Sequence, residues 1–136
     1  MSYPDDNLLY RWFEEVWNQA REAAIDEMAA ADVVAHGLLD AEGNEIRTRE
    51  GFKAFWRRFR SAFPDVRVTA EDGLVDGDKV MVRCTVRGTH KGEGIGVAPT
   101  LKHVTFSGMC TARIQGGNFD FLSLYQQLGA LPSSFN

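Results

Sequence analysis

The chain is poor in the residues that announce a specialised protein. Only two of its 136 residues are cysteine. Cys84 and Cys110 lie far apart and form no Cys-x-x-Cys pair. They read as buried free thiols, and a reducing cytoplasm is the expected compartment. An excess of positive charge is also lacking: 15 Lys and Arg stand against 19 Asp and Glu, a net charge of −4. That balance argues against a nucleic-acid partner, which needs a basic face. The basic cluster Arg57-Arg58 with Arg60 alternates with Phe55, Trp56 and Phe59, as on the solvated side of an amphipathic helix. No apolar run approaches the ~20 residues of a membrane span. Met1-Ser2-Tyr3-Pro4-Asp5-Asp6 is the opposite of a secretory leader. The loop Gly92-Glu93-Gly94-Ile95-Gly96 lacks the lysine and helix start of a phosphate loop. No His/Asp/Glu set has metal-ligand spacing, and no serine sits in a Gly-x-Ser-x-Gly elbow. These motifs offer no metal site, phosphate loop or nucleophilic serine.

What is present fits one domain over residues 1–136. The hydrophobic fraction of 44% and charged fraction of 25% are those of an ordinary globular chain. Nine Phe and three Trp suit a large apolar interior or cavity. Asp5 or Asp6 is placed to cap a first helix striped by Leu8, Leu9, Trp12, Phe13, Val16 and Trp17. A break and a second short helix follow before Met28, then an extended segment from Ala31 to Leu39 and a turn at Ala41-Glu42-Gly43-Asn44. Thr48 caps a third helix, where Phe52, Phe55, Trp56, Phe59 and Phe63 recur at helical spacing until Pro64.

Beyond Pro64 the period becomes two. Val66, Val68 and Ala70 alternate with polar residues, Asp76-Gly77-Asp78 is a hairpin turn, and Val80, Val82, Cys84 and Val86 alternate again. Val104 to Ile114 is a long strand, Gly116-Gly117 a turn, and Ser123 to Leu128 a short helix or tail. Helices followed by an antiparallel meander predict an α+β fold.

Several segments carry a resemblance. They are Trp12-Phe13-Glu14-Glu15-Val16-Trp17-Asn18, Phe52-Lys53-Ala54-Phe55, Ala62-Phe63-Pro64-Asp65, and Arg83 to Glu93 through Gly88-Thr89-His90. Gly96-Val97-Ala98-Pro99-Thr100 and Asn118-Phe119-Asp120-Phe121-Leu122, running into Gln126-Gln127-Leu128-Gly129, complete the series. In order and spacing the chain resembles the SnoaL-like polyketide cyclases of the nuclear transport factor 2-like group. The resemblance implies a cone of N-terminal helices on a curved antiparallel or mixed sheet enclosing an apolar pocket. It implies a homodimer and an intramolecular aldol-type ring closure on an apolar small molecule, without metal or organic cofactor. Isomerisation or epoxide opening on the same scaffold, or a non-catalytic binding module, are the alternatives. The fold alone does not choose among them.

In that family the residue matching Asp120 is the acid/base. An apolar surround would raise a carboxyl pKa toward neutrality, and oxyanion donors would hold the enolate. Without the resemblance, Asp120 reads as the cap of a last helix. His36 resembles a pocket-edge histidine and is the second catalytic candidate; on its own, a lone histidine at the end of an apolar segment reads as a satisfied structural group. Trp12, Phe55, Phe59, Phe106, Phe119, His90 and Arg83 are candidate substrate-binding residues. His90 also suits a structural tie between loop and sheet, and His103 an exposed strand start. Arg83 faces away from the Val80-Val82-Cys84-Val86 side, toward solvent, a partner or the cavity; alternation does not choose.

The chain departs from the family twice. Leu101 stands where glycine is usual, and Gly117 runs straight into Asn118 with no full return strand before the aspartate. In a continuous chain, Gly116-Gly117 is a two-residue hairpin turn. Gln115 then faces Asn118, Ile114 faces Phe119, and Arg113 faces Asp120, a pairing that would weaken the aspartate as a base. Were residues missing there, the family geometry would be kept.

Overall fold

The computed structural model describes residues 8–92 and 98–126, with the backbone alone for Phe121 and residues 124–126. The caps expected at Asp5 or Asp6 lie outside the described residues. Helix α1 (Leu8–Trp12) runs directly into a π-helical segment, Phe13–Asn18. Leu9, Trp12, Phe13 and Val16 are buried along the expected stripe. The break falls at Ala20, a non-glycine residue with φ of 57°, and α2 follows (Glu22–Met28). Helix α3 (Arg49–Ala62) begins at Thr48, whose hydroxyl accepts from the Gly51 N–H at 2.9 Å.

The strands are β1 (Ala29–Leu39), β2 (Glu45–Ile46), β3 (Arg67–Asp76), β4 (Lys79–Thr89), β5 (His103–Gln115) and β6 (Asn118–Gln126). They form one sheet in the order β2-β1-β6-β5-β4-β3. Every pairing is antiparallel except β1 with β6. This is the nuclear transport factor 2-like, α+β arrangement. The inner face carries the predicted alternation: Val80, Val82 and Cys84 of β4 and Val104, Cys110 and Ala112 of β5 are buried. The helices cover this face. Trp12 packs on Phe52 of α3 at 5.2 Å and edge-on against Phe119 of β6 at 5.5 Å. Trp56 Nε1 donates to the Val16 carbonyl at 3.0 Å, tying α3 to the end of the first helix.

Strand β3 is a sheet edge, where unpaired backbone groups invite foreign strands. Asn18 covers part of it. Its amide donates to the Val68 carbonyl at 2.9 Å, and its carbonyl accepts from the Val68 N–H at 2.7 Å.

The chain end differs from the reading as helix or tail. Ser123 to Gln126 belongs to β6, and Gln127 and Leu128 lie outside the described residues. An amphipathic stretch of this length has no fixed state of its own. Here it sits between β1 and β5, and ladder hydrogen bonds on both sides set it as strand. Asp120 is therefore not a helix cap. Gly116 and Gly117, with φ of 61° and 84°, form the two-residue turn of a continuous hairpin in which Gln115 faces Asn118 and Ile114 faces Phe119. Strand β6 itself is the strand that returns along β5. Among the described residues, no helix is long and apolar enough to cross a membrane.

Candidate active site

Between helices and sheet lies an open cavity whose empty space, with the solvent at its mouth included, is about 670 Å³. Trp12, Phe13 and Trp17 form its helical roof, with Phe52, Phe55 and Phe59 of α3 beside them. Cys84 and Val86, Phe106 and Cys110, and Leu122 form the floor across β4, β5 and β6. The walls are almost wholly apolar, so the few polar groups are conspicuous: His36 from β1, Ser123 from β6, and the two thiols.

A bulge brings His36 to the wall. Ala35 faces Ile46 and Leu39 faces Glu45, so His36-Gly37-Leu38 has no counterpart on β2. Such an insertion re-aims side chains, and Gly37 adopts the φ of 84° that the bend requires. His36 and Leu38 both border the pocket, with the His36 side chain half exposed at its rim. His36 Nδ1 is hydrogen-bonded to Glu45 Oε1, and the other carboxylate oxygen takes Arg47 Nη2 at 3.0 Å. Ser123 is the register partner of His36 on the parallel neighbour and is buried. Ser123 and His36 thus occupy adjoining register positions on neighbouring strands, and both residues border the cavity.

Asp120 lies elsewhere. Ile114 faces Phe119 but Arg113 faces Phe121, so Asp120 is the extra residue of a second bulge. Its carboxylate meets Arg113: Nε lies 3.0 Å from both oxygens and Nη2 2.7 Å from Oδ2. This hydrogen bond, with Asp120's charge, pushes the guanidinium pKa further up. Arg113 alternates with buried Ala112, which sets it on the outer side of the sheet. Asp120 is not among the residues that line the cavity. The expected pairing with Arg113 is present, made through the bulge and not through direct strand register.

Four of the expected substrate-binding residues, Trp12, Phe55, Phe59 and Phe106, line the cavity. Three do not. Phe119 is fully buried behind Trp12. Arg83 faces outward and pairs with Asp72 at 3.3 Å, since the inner positions of β4 are the apolar ones. His90 is fully buried, stacked on Phe63, and receives the Thr100 N–H on Nδ1 at 3.4 Å. It is a tie between loop and sheet. His103 is exposed, with Nδ1 3.2 Å from the Thr89 hydroxyl. Sequence reasoning missed Ser123 and Glu45. Ser123 belonged to a stretch read as helix or tail, and Glu45 follows a turn with nothing local to link it to His36.

Both thiols are buried in the floor. Burial, then the Glu71 charge, pushes Cys84 up to about 11; burial pushes Cys110 up as well. Among the described residues, no group of three or more His, Cys, Asp or Glu side chains is placed to hold a metal ion.

Fold and cavity together define the class: a small α+β cone with an open, apolar pocket over one sheet face. The chain belongs to the SnoaL-like polyketide cyclase family, whose sequence model matches residues 7–128. It is similar in structure to IdmH, a candidate polyketide cyclase from Streptomyces antibioticus, at 29% identity over 90% of this chain and 91% of that one, with a TM-score of 0.74. A candidate SnoaL-like polyketide cyclase from Jannaschia sp. CCS1 superposes with a TM-score of 0.79 at 18% identity, covering 94% and 92% of the two chains. A protein of ketosteroid isomerase-like fold from Catenulispora acidiphila has a TM-score of 0.74 at 20% identity, covering 96% and 91%. No curated protein sequence matches the chain significantly.

Proposed function

We propose that the protein is a cyclase-type acid/base enzyme in which His36, held by Glu45, moves a proton at a carbon of an apolar small molecule. The observation that supports this reading is an imidazole in the wall of an otherwise apolar pocket with its Nδ1 on a carboxylate. With Nδ1–H donated to Glu45, Nε2 is the nitrogen that takes up a proton, and the carboxylate stabilises the imidazolium that results. Nε2 removes a proton from a carbon next to a carbonyl, and the electron pair moves into the enolate. The Ser123 hydroxyl, one strand away, is the donor for that oxygen. In a ring closure the enolate carbon attacks a second carbonyl of the same molecule, and the imidazolium returns its proton to the new alkoxide. No atom is gained or lost.

Asp120 holds the position of the family's acid/base, but Arg113 occupies its carboxylate away from the cavity wall. In this reading Asp120 shapes the β5–β6 hairpin, and His36 is the base. Proton exchange tests this without the natural substrate. An apolar bicyclic ketone such as 2-tetralone in D2O is expected to exchange its acidic carbon-bound hydrogens faster with the protein than without. His36→Asn should abolish the acceleration. Absence of acceleration, or its survival in His36→Asn, would overturn the reading.

A further inference from the structure

We propose that Arg58 is a specificity-determining cation at the pocket mouth, selecting substrates whose apolar ring body ends in a carboxylate. The inference rests on the cavity being the substrate site, as put forward above.

The position of Arg58 carries the argument. Its guanidinium carbon lies 5.8 Å from the centroid of Phe55, a pocket-lining ring of α3. Its Nη2 donates to the carbonyl of Leu39 at 3.3 Å, one residue beyond pocket-lining Leu38. Arg58 therefore bridges the α3 wall and the β1 wall. The ring contact keeps the guanidinium beside Phe55, and the one carbonyl bond engages only one of its five N–H donors.

Its neighbours on α3 are spoken for. Arg57 pairs with Glu22 at 2.7 Å, and Arg60 donates to the carbonyls of Trp17 and Pro64. Arg58 makes no ion pair among the described residues. Nor does any described acidic residue line the cavity. Glu45, the carboxylate beside His36, is taken up by His36 and Arg47. Next to pocket-lining Phe55 and Leu38 there is thus a cation with no anion among the described residues to neutralise it. A planar guanidinium with adjacent donors matches a carboxylate better than a neutral carbonyl.

The same geometry orients the substrate. His36, Leu38 and Leu39 lie within one short stretch of β1, so the carboxylate and the reacting carbon belong to the same end of the molecule. The ring body fills the aromatic interior.

Two probes of one shape separate the terms: 2-naphthoate and its neutral methyl ester, titrated calorimetrically into wild type, Arg58→Gln and Arg58→Lys. Wild type is expected to bind the acid about fivefold tighter than the ester, in the range of a half-exposed ion pair, with added salt narrowing the gap. Arg58→Gln should erase the preference and leave the ester's Kd unchanged. Arg58→Lys keeps the charge without the fork, should retain part of the preference, and guards against a folding defect. Equal binding of both probes by wild type, or an undiminished preference in Arg58→Gln, overturns the Arg58 assignment alone. If wild type binds neither probe, the cavity is not the substrate site and both readings fall.

Discussion

Arg113 and Asp120 face each other across the β5–β6 hairpin in a forked contact, with nitrogen–oxygen distances of 2.7–3.0 Å. The pair puts the carboxylate where a guanidinium can hold it and parts it from the cavity that carries His36. Asp120→Asn should therefore keep turnover within roughly threefold of wild type and cost less than about 1 kcal/mol, as partly exposed pairs do. His36→Asn should lose on the order of a hundredfold in proton exchange, the typical worth of a positioned base. Parallel exchange assays and thermal melts of the two variants check this. A collapse of exchange in Asp120→Asn, with binding intact, would return the base to Asp120.

Glu45→Gln tests the support behind the imidazole. A neutral amide stabilises the imidazolium less, so exchange should fall about tenfold or more while Kd for the methyl ester stays unchanged. A merely structural role for Glu45 would move Kd and the melting temperature together instead.

Asp65 ties the end of α3 to β4. Its carboxylate accepts from the Thr89 N–H at 2.7 Å and the Thr89 hydroxyl at 2.8 Å. The backbone hydrogen bond, above all, holds the carboxyl below its ordinary range. A depressed pKa in the folded state contributes stability that is fully present above the unfolded value of about 4 and is lost as pH falls through the folded value. Asp65→Ala should cost about 1 kcal/mol at neutral pH, discounted for the exposure of the carboxyl. The gap to wild type should close below about pH 4. Denaturant melts of both proteins from neutral to acid pH measure it.

The pocket thiols should be sluggish nucleophiles. With Cys84 pushed up to about 11 and Cys110 raised too, the reactive thiolate is scarce at neutral pH. Iodoacetamide should label the native protein at least about a hundredfold more slowly than the unfolded chain, and faster as pH rises. Mass spectrometry of timed samples shows which cysteine reacts. Rapid labelling of native Cys84 near neutrality would contradict its burial.

Asn18 stands in for a strand at the open edge of β3. Asn18→Ala removes both hydrogen bonds to Val68 and leaves part-buried backbone groups bare. It should lower stability by about 1–3 kcal/mol and raise the tendency to aggregate through that edge. Chemical unfolding and light scattering follow the two effects.

Much of this molecule is legible along the chain. The aromatic spacing of α3, the Thr48 cap, the inner parity of β4 and β5 and the Gly-Gly hairpin are local, because caps, turns and periods act over a few residues. The same turn brings Arg113 and Asp120 near each other, although the bulge through which they meet is not legible in it. Four of the aromatic residues expected at the substrate reach the cavity for a related reason: a large apolar residue on the inner side of a helix or strand has few other places to go. What the chain could not disclose was settled by contacts between distant segments. Strand β6 is inserted parallel to β1, which makes strand of a stretch that reads equally well as helix and lays Ser123 alongside His36. Two bulges change where side chains lie, one setting half-exposed His36 at the cavity rim and the other leaving Asp120 with Arg113. Alternation assigns parity within a strand, but an extra residue shifts that parity, and only the pairing of neighbouring strands decides where the extra residue goes.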